Sequence, residues 1–306
     1  MTTVRILGPG DEDALMAFLR ARTDTTMFMQ GNLGRAGIED HGERFQATYV
    51  GVFDGDELVG AVAHAWNGMF LLEAQLGLID ALDAALRAKG RAVKGFSGAL
   101  DQVSAARSYL CLDEVDASMD SAEVLYGLDL EDLRVPPGLT SGAVQVRRAE
   151  ADDLSTLLPW SLAYYREAID EAAGEEAQAQ VESSLRSGLD SRTAWIAHVD
   201  GGPVAMTRFN ATTPHAVQVG GVYTPPEFRA RGYGGCVVAQ SLLDARAEGA
   251  TRSILFTPES NTPARRCYYG LGYEPLGAFG LVLLRETHTI ALAPGPASED
   301  DGAEAE

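Results

Sequence analysis

Val217-Gln-Val-Gly-Gly-Val-Tyr-Thr-Pro-Pro-Glu-Phe-Arg-Ala-Arg-Gly-Tyr-Gly-Gly235 says more about the fold than any other stretch of the chain. It opens as an apolar strand, breaks at two prolines, passes through a glycine-rich turn and enters the apolar helical run of Cys236, Val237, Leu242 and Leu243. Glycines in such a turn let backbone approach a ligand closely. A helix start aims unpaired N–H groups at one spot and so forms an anion site. Arg229 and Arg231 add positive charge beside it. Two familiar phosphate loops do not fit. A P-loop requires a lysine after its second glycine, and the only lysines, Lys89 and Lys94, are far away. A dinucleotide fingerprint starting at Gly232 and Gly234 requires glycine where Val237 stands.

What remains is Arg229-x-x-Gly232-x-Gly234. This resembles the pyrophosphate-binding motif of the GNAT superfamily of N-acetyltransferases. Val222-Tyr-Thr-Pro-Pro-Glu-Phe228 is similar to the strand-to-turn segment where that family's fourth strand splays to meet pantetheine. Downstream, Ser253–Thr257 reads as a short buried strand. It leads to Asn261-x-x-Ala264-x-x-x-Tyr268-x-x-x-Gly272-Tyr273, which matches the family's second signature. The resemblance covers Val144 to Leu284. It implies an α/β fold with a mixed sheet and acetyl-CoA as co-substrate, with no metal.

By that resemblance the cofactor-binding residues are Val222, Tyr223, Thr224, Arg229, Ala230, Arg231, Gly232, Tyr233, Gly234, Gly235, Asn261 and Tyr268. A backbone N–H in Val222–Thr224 would stabilise the oxyanion formed when an amine attacks the thioester. Asn261 matches a residue that contacts the CoA arm, and it suits a helix N-cap equally well. Tyr268 matches the general acid that protonates the departing thiolate, with Tyr269 as a register rival. Many relatives place a glutamate base on the fourth strand, where this chain has Gln218, which cannot accept the proton. Glu167 and Asp170 fall where relatives build the acceptor wall, so Glu167 is the candidate base or amine anchor, against the alternative of a solvated helix face. His198 and His215 read as structural and surface turn residues.

Outward from this segment the chain echoes itself. Tyr49-Val-Gly-Val-Phe-Asp-Gly55 recurs as Trp195-Ile-Ala-His-Val-Asp-Gly201, each a hairpin by its Asp-Gly turn. Val4–Leu7 leads through Asp11 and Asp13 into a helical pattern, as Val144–Arg147 leads through Asp152 and Asp153, with the aspartates expected to cap the helices. The expected architecture is therefore tandem: a degenerate GNAT-like domain at 1–134, a linker at 135–143 whose prolines and glycines oppose regular structure, a GNAT domain at 144–290, and an acidic, disordered tail at 291–306. At the equivalent place the first half reads Leu71–Asp80, with neither paired glycines nor arginine, so no CoA cradle is expected there. Bracing the second half, covering its acceptor cleft and binding a partner are the roles open to it.

The chain has 306 residues and a net charge of −20, which disfavours phosphate backbones and favours a cationic amine. No apolar run suggests a membrane span, and the N-terminus carries no leader pattern, so a cytoplasmic protein is expected. Cys111, Cys236 and Cys267 have no metal-ligand spacing and read as reduced, mostly buried thiols. Two further readings stay open: a non-catalytic acyl-CoA-binding or regulatory protein, and a transferase using a longer acyl group or an aminoacyl-tRNA donor, the last opposed by the acidity. The acceptor is expected to be a small-molecule or peptide amine. Nothing in the sequence sets the oligomeric state.

Overall fold

The computed structural model describes residues 2–168 and 174–291; Asp170 and the acidic tail beyond 291 lie outside the described residues. The first half runs β1 (Thr2–Ile6), α1 (Glu12–Arg20), α2 (Thr23–Ala36), β2 (Ala47–Asp54), β3 (Glu57–Ala65), β4 (Met69–Glu73), α3 (Leu78–Lys89), β5 (Val93–Ala99), α4 (Leu100–Tyr109) and β6 (Ala117–Asp129). A helical turn, α5 (Pro137–Thr140), follows in the segment expected to be irregular. Proline at the first helical position explains it, because that position needs no N–H. The second half repeats the order: β7 (Gln145–Arg148), α6 (Leu154–Ala168), α7 (Glu175–Asp190), β8 (Ala194–Val199), β9 (Gly202–Thr212), β10 (Ala216–Tyr223), α8 (Tyr233–Ala247), β11 (Arg252–Pro258), α9 (Thr262–Leu271) and β12 (Glu274–His288). No helix among the described residues is long and apolar enough to cross a membrane.

The echoes seen in the sequence have physical counterparts. Asp200 and Gly201 form a two-residue turn between β8 and β9 with both φ angles positive, while the matching loop between β2 and β3 is Gly55-Asp56. Arg5 grips Asp11 through two bonds of 2.7 Å, and Arg147 grips Asp153 at 2.7 and 2.8 Å. Each pair fastens a first strand to the start of the helical segment. The aspartates were expected to cap helices: Asp153 does so in a capping box with Glu150 just ahead of α6, accepting the Glu150 N–H at 2.8 Å, whereas Asp11 makes no cap bond to α1 and accepts the Gly8 N–H at 3.0 Å.

The strands form one twelve-stranded sheet ordered β1-β2-β3-β4-β5-β12-β6-β11-β10-β9-β8-β7. The two halves exchange their last strands. β12 closes the first half against β5, with Val282 opposite Phe96. β6 closes the second half against β11, with Tyr126 opposite Leu255. The cores follow the exchange: Tyr126, Leu128 and Leu130 pack with Trp195, Leu242 and Leu271, while Val282 and Leu284 pack with Phe70 and Phe96. Each such fully buried side chain stabilises the fold by about 1.5–3 kcal/mol, so each half depends on residues from the other.

α8 lies on one face of the second half, over Trp195, Val217 and Val219. α6 and α7 lie on the other, over Ile196, Met206 and Tyr223. On this second face α2 reaches across from the first half, where Met27 packs with Ala211, Ala216 and Ile254. A cavity of about 280 Å³ lies along α2, lined by Phe28, Phe45, Trp66, Met69, Asn210 and Leu281 among others.

Candidate active site

β10 and β11 are parallel, yet they pair only where Ala216–Gln218 face Arg252–Ile254. Beyond Gln218 they part. Two register shifts bend β10 at this place, and Gly221 takes φ +57°, a conformation that favours glycine. The result is an opening through the sheet with α8 and α9 on one side and α6 on the other.

At the top of the opening the glycine-rich turn leads into α8. Ala230 and Gly232 both have positive φ, and no side chain caps the helix start at Gly232. A Cβ added at Gly232 would meet nothing within 4 Å, and at Gly234 nothing closer than 3.5 Å. Glycine inside a helix costs about 1 kcal/mol relative to alanine, and the protein's own packing does not require it at 234. A backbone kept bare toward the outside, in front of uncapped helix N–H groups, fits an incoming pyrophosphate. Arg229 is engaged within the protein. It donates to the Thr224 carbonyl at 2.9 Å and to both Glu167 oxygens at 3.0 and 2.8 Å, and lies over the Tyr223 ring. Glu167, about half exposed, is thus tied to the turn. Arg231 on the same turn is exposed, and Tyr233 is partly buried against the core under α8.

Below it, Asn261 caps α9 by accepting the Ala264 N–H at 3.3 Å. Two helical turns on, the two tyrosines separate. Tyr269 is exposed, with its hydroxyl beside that of Tyr126. Tyr268 points inward among Tyr126 and Tyr273, and burial holds its phenol well above the ordinary value, protonated at neutral pH. Cys267 beside it is raised to about 11, again by burial. Among the described residues no cluster suits a metal ion. Cys111 is exposed, and all three cysteines are free thiols.

Three residues at the opening carry no motif in the sequence. Glu123, on the exchanged strand β6, is buried; its one hydrogen bond is from the Ser121 hydroxyl at 2.6 Å, and burial raises its pKa. Arg208, on β9 opposite Gly220, donates to Ser184 at 2.9 Å, and burial lowers its pKa. Tyr164, on α6, lies within electrostatic reach of both; burial, the largest influence, raises its pKa. Tyr268 in turn feels Tyr164 and Glu123 from across the opening. Gln218, at the last paired rung, is 3% exposed and its buried Oε1 has no hydrogen-bond partner. A charged residue in the strand pattern around Glu123 was the only sign in the sequence, and nothing there linked β6 to a site in the other half. His198 is partly buried beside Arg147 and Asp153, and the exposed His215 offers its carbonyl to Thr251 and Arg252.

Residues 154–273 match the model of the acetyltransferase (GNAT) family. Solved structures extend the likeness to both halves. A Drosophila protein aligns with a TM-score of 0.63 at 13% identity, over 92% of this chain and 98% of its own. A tandem GNAT protein from the clavulanic acid biosynthesis pathway aligns with a TM-score of 0.51 at 15% identity, over 92% and 97%. A GCN5-related N-acetyltransferase from Kribbella flavida gives 0.52 at 20% identity, over 87% and 95%. At such identities the likeness is one of fold, here the tandem GNAT fold. No curated protein matches the chain.

Proposed function

We propose that the protein is an N-acetyltransferase that takes the acyl group of acetyl-CoA to an amine. The observation that carries this reading is the bare glycine turn at the head of an uncapped helix, set above a parted strand pair. Acetyl-CoA supplies the acyl thioester. Backbone N–H groups of Arg229–Gly235 hold its pyrophosphate, and the free edge of β10 at Val222–Thr224 offers N–H groups to pantetheine and to the oxyanion. Asn261 at the head of α9 lies on the same side. Tyr268, kept protonated by burial, gives its proton to the departing thiolate. Glu167 is engaged by Arg229 and holds the turn to α6, which leaves the proton of the acceptor ammonium to another group.

The test is the midpoint of thermal unfolding with and without acetyl-CoA, for wild type and Gly234→Glu. At about a hundred times its dissociation constant the ligand adds roughly 2.7 kcal/mol. Wild type should shift upward, and the variant, whose carboxylate fills the cradle, should not. Shifts of equal size in both would reject the turn as the binding site. Binding with no acetylation of any amine would turn the reading to a non-catalytic acyl-CoA-binding protein, to which Gln218 in place of a strand base gives some support.

A further inference from the structure

Arg208 differs from four other half-buried arginines of this protein. Arg91 meets Asp40, Arg107 meets Asp120, Arg148 meets Glu248 and Arg252 meets Asp24. In a chain with 44 acidic and 24 basic residues, carboxylates are plentiful. Arg208 nonetheless has a serine hydroxyl, and no ion pair, among the described residues. Glu123 mirrors it: a buried carboxyl whose partner is also a serine hydroxyl. Glu123 is buried and Arg208 half-buried; a charge drawn out of water without an opposite charge is costly, so two of opposite sign at one place need a reason.

Their positions supply one. Arg208 is opposite Gly220, where β10 bends away. Glu123 is opposite Pro258, where the parted β11 ends. The two therefore flank the opening, one beyond each of its edges, and Tyr164 lies within electrostatic reach of both. Among the described residues they do not bond each other, and a molecule that presents a cation to one and an anion to the other would satisfy both.

We propose that the acceptor is an amine that also carries an anionic group, its ammonium received at Glu123 and its anion at Arg208. This rests on the acetyl-transfer reading above. Glu123 takes one proton from the ammonium and passes it to solvent. The freed lone pair forms the C–N bond to the thioester carbonyl carbon, the C–S bond breaks, and Tyr268 protonates the sulfur. The proton that nitrogen still has to lose restores Tyr268. The first half of the chain thus supplies the base that Gln218 cannot be.

The experiment measures acetyl transfer from acetyl-CoA by the full-length protein to matched pairs: each standard amino acid against its amide, and 2-aminoethyl phosphate against ethanolamine. The expected result is a kcat/KM at least about 100-fold higher for the anionic member of a pair, since a site built for a charged group rejects the analogue that lacks it. The two series separate a carboxylate from a phosphate. Arg208→Gln should raise KM for the anionic member with kcat largely kept and little change for the neutral one, and Arg208→Lys should recover part of the loss. Glu123→Gln should lower kcat for both members and remove the acidic limb of the pH profile. Retention of the acetyl-CoA thermal shift shows that the variants are folded and bind the donor. Neutral members that react as well as anionic ones, or an Arg208→Gln that slows both alike, would overturn the proposal while leaving acetyl transfer intact. Acetyl-CoA binding without transfer to any amine would instead overturn the transferase reading, and this inference with it.

Discussion

The chain contains the same strand-turn-helix device twice, once shut and once open. In the first half β4 pairs with β5 along Met69–Leu72, and past the strand end Gln102 takes the Ala74 N–H at 2.8 Å. The strands are so close that a Cβ at Gly98 would lie 2.8 Å from the Leu72 carbonyl. In the second half the pairing stops after three rungs. The turns differ in the same sense. Gly77 and Gly232 both head a helix in the left-handed conformation without a side-chain cap. A Cβ at Gly77 would strike Val52 at 2.8 Å, whereas one at Gly232 would meet nothing within 4 Å. One turn is packed onto its own sheet and the other is left facing outward. A shared backbone device becomes a candidate site only where the protein leaves its space unfilled.

The largest effect expected concerns the strand exchange that joins the shut and open halves. Residues 144–306 expressed alone lose β6 beside β11 and leave β12 without β5. They should show no cooperative thermal transition, and adding residues 1–134 should restore one. A cooperative transition in the isolated half, with an acetyl-CoA shift, would show that the open half stands without its neighbour. Next, Tyr268→Phe should lower kcat by about 10²- to 10⁴-fold and keep the thermal shift, while Tyr269→Phe changes neither; equal losses would mean the outward tyrosine also serves.

The third prediction concerns the closed half. Burial lowers His64, stacked on Phe70 at 4.1 Å, to about 4 against an ordinary 6.5. Between those values the unfolded chain binds the proton and the folded one does not, so this stability is present above pH 6.5 and is lost as pH falls through 4. The loss amounts to about 3 kcal/mol. Denaturant titrations of wild type and His64→Leu should differ in slope over that window, and identical slopes would reject the assignment. The smallest effect comes from the matched ion pairs. Arg5→Gln and Arg147→Gln should each cost about 1 kcal/mol or less, as exposed pairs do. A much larger cost in one half would show that the two strand-helix clasps are not equivalent.

Much of the layout was legible in the sequence because it is written in local signals. The Asp-Gly turns, the repeated element order and the glycine turn each depend on residues within a few positions of one another. Asn261 as a cap is likewise a local signal, whereas Tyr268 was singled out by its place in the family signature, and it is burial in the structure that separates it from Tyr269. Other features were not legible. The bond from Glu167 to Arg229 joins residues 62 apart. Asp11 was expected to cap a helix and instead took Arg5, because two strong local options competed and only packing decided between them.

The sequence by itself determined the two copies of the fold, the turn that one of them keeps bare, and the residues that line it, because turn and helix-start chemistry is short-range. Only the tertiary structure decided that the copies exchange their last strands. Pairing of β6 with β11 or β5 satisfies the same backbone groups, and the choice rests on which core its apolar face completes. That choice carries Glu123 out of the first half and sets it across the opening from Arg208 and Tyr268, bringing together charges that lie far apart along the chain.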